Sequence, residues 1–122
     1  MHALVIEDEL MIATEIEFVL RECGFATVDI ACSSEAAVDA AAANKPDVIT
    51  ADFDLRPDSG IETVRAISPQ PDTPVIFITA NAKEVRRRMP KNIVLPKPFS
   101  EQTLAYTIAA ALYSSGSNNV SS

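Results

Sequence analysis

At 122 residues and 48% hydrophobic composition, the chain is long enough for one domain with its own core and too short for two. A formal net charge of −7 argues against nucleic acid as a partner, and no apolar run approaches the length that crosses a bilayer. The opening "MHALVIEDEL" lacks a basic segment and a small-residue cleavage site, so a cytoplasmic location is expected, with Cys23 and Cys32 as free, buried thiols.

The first predicted element is "HALVIE" (2–7), short, apolar and bounded by acids, as a buried parallel strand would be. From 9 to 23 the period changes, with Ile12, Ile16, Val19 and Leu20 on one helical face, and Gly24 stops the helix. "ATVDIA" (26–31) reads as a second strand, and Ser33 or Ser34 can cap an alanine-rich helix running to about Asn44, which Pro46 breaks. "DVITA" (47–51) is a third strand, and Gly60 opens a helix carrying Ile61, Val64 and Ile67. "PVIFITA" is the most strand-like run, a short basic helix fits 82–89, "NIVL" is a fifth strand, and Leu104, Ile108 and Leu112 mark a last helix. The domain is expected over 1–113, with "SSGSNNVSS" (114–122) as a disordered tail with nothing to bury.

Strands alternating with helices predict an α/β fold, a flavodoxin-like doubly wound five-stranded parallel sheet of order 2-1-3-4-5 with helices on both faces. In such sheets the working crevice lies beyond the carboxyl ends of the strands, where the order reverses between strands 1 and 3. Strand 1 delivers Glu7 and Asp8 there, strand 3 Asp52, strand 4 Thr79 and strand 5 Lys97. Strand 2, an edge in this order, delivers only Cys32 and two serines. The single histidine, His2, starts strand 1 and stands too far upstream to serve, so it is read as structural or exposed.

Neighbouring strands lie about 4.8 Å apart, so carboxylates on the tips of strands 1 and 3 can share an ion. All-oxygen ligands select a hard cation, and Mg²⁺ is the expected cofactor. Lys97 and the Thr79 hydroxyl, read as lying on the far side of Asp52, suit two phosphate oxygens. An ionised aspartate can attack phosphorus without a general base and form an acyl phosphate. The metal-free carboxylates are expected to repel one another.

In order and spacing, "VIEDE", "ITADFDLRPDSG", "VIFITAN" and "LPKPF" resemble the four signatures of the CheY-like response regulator receiver domain, over residues 2 to about 113. The resemblance implies Asp52 as phosphoacceptor and a Mg²⁺ site made by Asp8, Asp52, the backbone carbonyl of Asp54 and, through water, Glu7. It also implies Thr79 and the neighbouring Ala80 as the switch segment, Lys97 as the phosphate-binding lysine, and a cis bond before Pro98. The phosphodonor would be a histidine kinase or a histidine phosphotransfer protein. Three positions depart from the family pattern. Val94 stands where an aromatic residue is usual, the Thr79 to Lys97 segment is short enough to stunt the fourth helix, and Arg56-Pro57 shifts the usual proline by one.

The Asp54 carboxylate is read either as a group that positions or repels attacking water or as a solvent-facing turn aspartate, and Asp58 as turn chemistry before Ser59-Gly60. "DFD" also resembles the nucleophile motif of haloacid dehalogenase-type phosphatases, but there the motif ends the first strand, the reverse of the order here. A Toprim-type metal site lacks its glycine after Glu7. The reading is therefore a signalling switch rather than an enzyme with turnover. Output is expected as protein binding, or a homodimer contact, through the helix 4, strand 5 and helix 5 face. Tyr106, Ala110 and Tyr113 form a stripe there, beside Arg87 within a basic run from Lys83 to Lys91 that otherwise reads as a solvated helix face.

Overall fold

The structure, a computed structural model, describes residues 1–55 and 59–121, and only the backbone of 115–121. The expectations for Arg56, Pro57 and Asp58 lie outside the described residues. In chain order the elements are β1 (His2–Ile6), α1 (Leu10–Glu22), β2 (Thr27–Ala31), α2 (Ser34–Ala43), β3 (Val48–Ala51), α3 (Gly60–Ile67), β4 (Val75–Thr79), α4 (Ala82–Arg88), β5 (Ile93–Pro96) and α5 (Glu101–Ser121). The five strands form one parallel sheet in the order β2-β1-β3-β4-β5, as the alternation predicts.

Helices on both faces explain why β1, β3 and β4 read as largely apolar runs: alternate side chains enter two separate cores. Ala3, Val5, Val48, Ile76 and Ile78 pack with Ile16, Val19 and Leu20 of α1 and Leu104, Ile108 and Ala111 of α5. Leu4, Ile6, Ile49, Ala51 and Phe77 pack with Ala37, Ile61, Val64 and Val85 on the other face. Each fully buried Val, Leu, Ile or Phe among them stabilises by about 1.5–3 kcal/mol.

Local signals set the boundaries. Gly24, at φ 103°, ends α1 in the left-handed region that a side chain disfavours. The Ser33 hydroxyl caps α2 by accepting from the Ala36 N–H at 3.1 Å, while Ser34 instead bonds the buried Thr63 of α3. Pro90 follows Met89 and keeps α4 to 7 residues. α5 continues past Tyr113, where the ordered domain was expected to end, and its backbone is helical to Ser121. No proline follows Pro98, so nothing blocks the i→i−4 ladder there.

One expectation needs correction. Both cysteines are free, but Cys23 is half-buried and Cys32 is exposed, because Cys32 follows the last residue of the edge strand β2. His2 takes the structural place rather than the exposed one, buried at the end of the sheet opposite the strand tips. Its Nδ1 meets Thr27 Oγ1 at 2.8 Å, its Nε2 meets Asp29 Oδ2 at 3.1 Å, and its backbone N–H donates to Asp47 at 2.7 Å.

Candidate phosphoacceptor site

The ladder continues past the strands and sets the site. The Glu7 N–H donates to Ala31 O at 3.0 Å, the Asp52 N–H to Ile6 O at 3.0 Å, and the Lys97 N–H to Thr79 O at 2.9 Å. Because Ile6 pairs with Ala51, the next step brings Glu7 beside Asp52. Glu7, Asp8 and Asp52 each offer an oxygen within 4.8 Å of the others; Glu7 and Asp52 are buried and Asp8 is exposed. Such a set of hard oxygen donors fits a divalent cation such as Mg²⁺.

Lys97 occupies a different place from the one expected. Its ammonium stands between the two buried carboxylates, 2.8 Å from Glu7 Oε1 and 2.9 Å from Asp52 Oδ2, instead of with Thr79 on the far side of Asp52. Two buried anions without a cation would be costly, and the lysine offsets that cost. The expected repulsion between Glu7 and Asp52 is thus partly offset inside the protein. The Lys97-Pro98 bond is cis.

The charges respond to this packing. Burial pushes the Glu7 carboxyl up to about 7; Lys97 opposes the rise and Asp52 adds to it. Burial pulls the Lys97 ammonium down, but its bonds to Glu7 and Asp52 win and leave it above the usual lysine value. Folded Glu7 therefore holds a proton that the unfolded chain releases at about 4.5, so its stabilising contribution is complete below that pH and is lost as pH rises through about 7. In chelator, the urea midpoint is expected to fall over this window by the equivalent of about 3 kcal/mol, with Glu7→Gln flattening the slope. A native midpoint that rises or stays level from about pH 5 to about pH 8 would contradict this.

The remaining groups close the cleft. Asp52 Oδ1 accepts from the Asp54 N–H at 3.1 Å, and Glu7 Oε2 accepts from the Glu9 N–H at 3.2 Å. Thr79 is fully buried, its hydroxyl accepting from the Asn81 N–H at 2.9 Å. Asp8, Glu9, Asp52, Asp54, Ala80 and Lys97 line a cleft of about 350 Å³. Asp54 is exposed, and its Oδ2 accepts from Asn81 Nδ2 at 2.7 Å, so the aspartate is tethered across the cleft mouth. Val94 is half-buried and packs with Phe53 and Met89 against the second core.

Several contributors escaped the sequence reading. Asn81 ends the quoted "VIFITAN" without a role assigned there, although its position two after Thr79 was a signal. Gly60 looked like turn chemistry, yet a Cβ there would lie 1.9 Å from the Asp52 carbonyl oxygen. The Arg88 guanidinium sits 5.7 Å from the ring centre of Phe53, joining α4 to the residue after Asp52. Where the sequence places an output face, Tyr106 and Tyr113 are each 77% exposed and Ala110 is exposed. Arg87 forks onto Glu84 of the same helix at 2.8 and 2.9 Å, so its charge is partly spent within α4.

Residues 3–109 match the family model described as the response regulator receiver domain. The transcriptional regulatory protein YvrH of Bacillus subtilis is 31% identical, over 89% of this chain and 48% of its own length. The phyllosphere-induced regulator PhyR of Methylorubrum extorquens is 32% identical, over 90% of this chain and 43% of its own. The chain spans about half the length of these relatives. Among solved structures, the response regulator REC domain of Erythrobacter litoralis PhyR superposes with a TM-score of 0.80 at 35% identity, covering 92% of this chain and 89% of that one. Among the described residues no helix is long and apolar enough to cross a membrane.

Proposed function

The chain belongs to the response regulator receiver domain family of two-component systems, and from that premise we propose that Asp52 accepts a phosphoryl group from a phosphohistidine. The observation that carries the reading is the meeting of Glu7, Asp8, Asp52 and Lys97 at the point of strand-order reversal. An Asp52 oxygen attacks phosphorus, the bond from phosphorus to the donor's imidazole nitrogen breaks, and an acyl phosphate remains. The donor is a histidine kinase or histidine phosphotransfer protein. Asp8, Asp52, the Asp54 carbonyl and, through water, Glu7 would hold Mg²⁺, which neutralises charge on the phosphoryl oxygens when bound.

Lys97 is already within bonding distance of Asp52, so it follows the new negative charge by releasing Glu7. Thr79 releases the Asn81 N–H to turn its hydroxyl toward the phosphoryl group, with Ala80 moving alongside. That movement biases α4 and β5, and the readout is binding of another protein, or of a second copy, at the face carrying Tyr106, Ala110, Tyr113 and Arg87. The domain acts as a switch in the cytoplasm and does not turn over phosphate esters.

Mg²⁺ is expected to raise the melting temperature, because it binds the folded carboxylate cluster and not the unfolded chain. At about 100 times its dissociation constant the gain is about 2.7 kcal/mol. Asp8→Ala should abolish the response. Melts of the native protein that ignore Mg²⁺ would sink the metal site, and repeated turnover of a phosphomonoester would mark a phosphatase instead.

A further inference from the structure

Thr50 is a buried hydroxyl with no visible purpose in the sheet. It is 1% exposed, and its Oγ1 has no hydrogen-bond partner among the described protein groups. The residues paired with it on either side are Val5 of β1 and Ile76 of β4, neither of which offers a polar side-chain atom. A valine of nearly the same shape would avoid the cost of about 1–3 kcal/mol that an unsatisfied buried hydroxyl carries. Its presence therefore calls for a polar partner within reach.

Strand alternation identifies that partner. Val48, Thr50 and Asp52 share one face of β3, the face packed against α1 and α5, and Val5 and Glu7 share the corresponding face of β1. One step above Thr50 on that face lie the Asp52 and Glu7 carboxylates, bridged by the Lys97 ammonium. That ammonium has three protons, and its bonds to the two carboxylates use two. No direct bond joins the Thr50 hydroxyl to the carboxylates, and residues two apart on a strand are spaced by about 6.6 Å along the backbone, a gap that one bridging molecule can span. A polar site of this kind, with the hydroxyl below and the ion pair above, is where a buried water is held.

We propose that Thr50 is a positioning residue of the phosphoacceptor site, acting through one buried water that links its hydroxyl to the Lys97–Asp52 ion pair. The water holds the ammonium and the carboxylate in register from beneath, on the side away from the approaching phosphodonor. The inference rests on the reading of Asp52 as the phosphoacceptor.

The test compares the rate of phosphoryl uptake from acetyl phosphate and Mg²⁺ in native protein, Thr50→Val and Thr50→Ser, alongside thermal melts. Thr50→Val is expected to remain folded, as the melts check, and yet to accept about tenfold more slowly, while Thr50→Ser, which keeps the hydroxyl, accepts near the native rate. A buried hydroxyl with only a structural part would leave the rate of Thr50→Val unchanged, and that result overturns the proposal. So does a Thr50→Ser variant as slow as Thr50→Val. If native protein accepts nothing, the reading of Asp52 fails and Thr50 falls with it; if native accepts and Thr50→Val keeps pace, only the role of Thr50 fails. Should Thr50→Val not fold, a high-resolution crystal structure of the native protein decides. It is expected to show a water bonded to Thr50 Oγ1 and to Lys97 or Asp52, and a Thr50 hydroxyl bonded to a backbone carbonyl instead would overturn the role.

Discussion

Gly60→Ala is expected to destabilise the protein by at least about 3 kcal/mol and to lower its melting temperature by about 10 °C. A Cβ at this position would stand 1.9 Å from the Asp52 carbonyl oxygen, 2.7 Å from its carbon and 3.3 Å from the Phe53 Cα. All three are backbone atoms, so no side chain can rotate aside and the first turn of α3 must lift away from β3. That lift would break the bond from the Gly60 N–H to Phe53 O, 3.0 Å long in the native fold. It would also move the carbonyl of Asp52 and tilt its carboxylate away from Lys97, so phosphoryl acceptance should fall with stability. A Gly60→Ala protein that melts within a degree or two of native would show that the loop yields more easily than its contacts indicate.

Lys97→Met is the second large effect. It removes the cation between Glu7 and Asp52, which are 1% and 5% exposed, and leaves two buried carboxylates side by side. Breaking a buried pair from one side costs about 3–5 kcal/mol. Glu7 already tends to hold its proton, and losing Lys97 strengthens that tendency, so the loss should be larger near pH 8, where protonation relieves less of the repulsion, than near pH 5. Mg²⁺ should restore much of the stability by supplying the missing positive charge. Urea unfolding in chelator near pH 8 measures this, and a Lys97→Met midpoint equal to native would mean that the ion pair contributes nothing to the resting fold.

The sheet order and the strand-tip residues were legible because periodicity and punctuation report burial directly. A strand buried on both faces is apolar over most of its length, and Glu7, Asp8, Asp52, Thr79 and Lys97 gather polar groups at the same end. What could not be read was how those residues pair. No spacing tells whether an ammonium from the fifth strand points at one carboxylate or between two, since that depends on the cost of burying each. The exposure of Cys32 follows from the edge position of β2, which is a property of the assembled sheet. Gly60 was legible as a turn glycine but not as a contact, because its neighbour is the backbone of a residue eight positions earlier. Asn81 shows its reach to Asp54 only once β3 and β4 stand side by side.

The central claim, that Asp52 is the phosphoacceptor, is tested most directly by intact mass after incubation with acetyl phosphate and Mg²⁺. Native protein should gain the mass of one phosphoryl group, about 80 Da, in a Mg²⁺-dependent manner, and Asp52→Asn, which keeps the shape but lacks the ionised nucleophile, should gain none. A native protein that stays unmodified, or an Asp52→Asn protein that is modified equally well, would contradict the account.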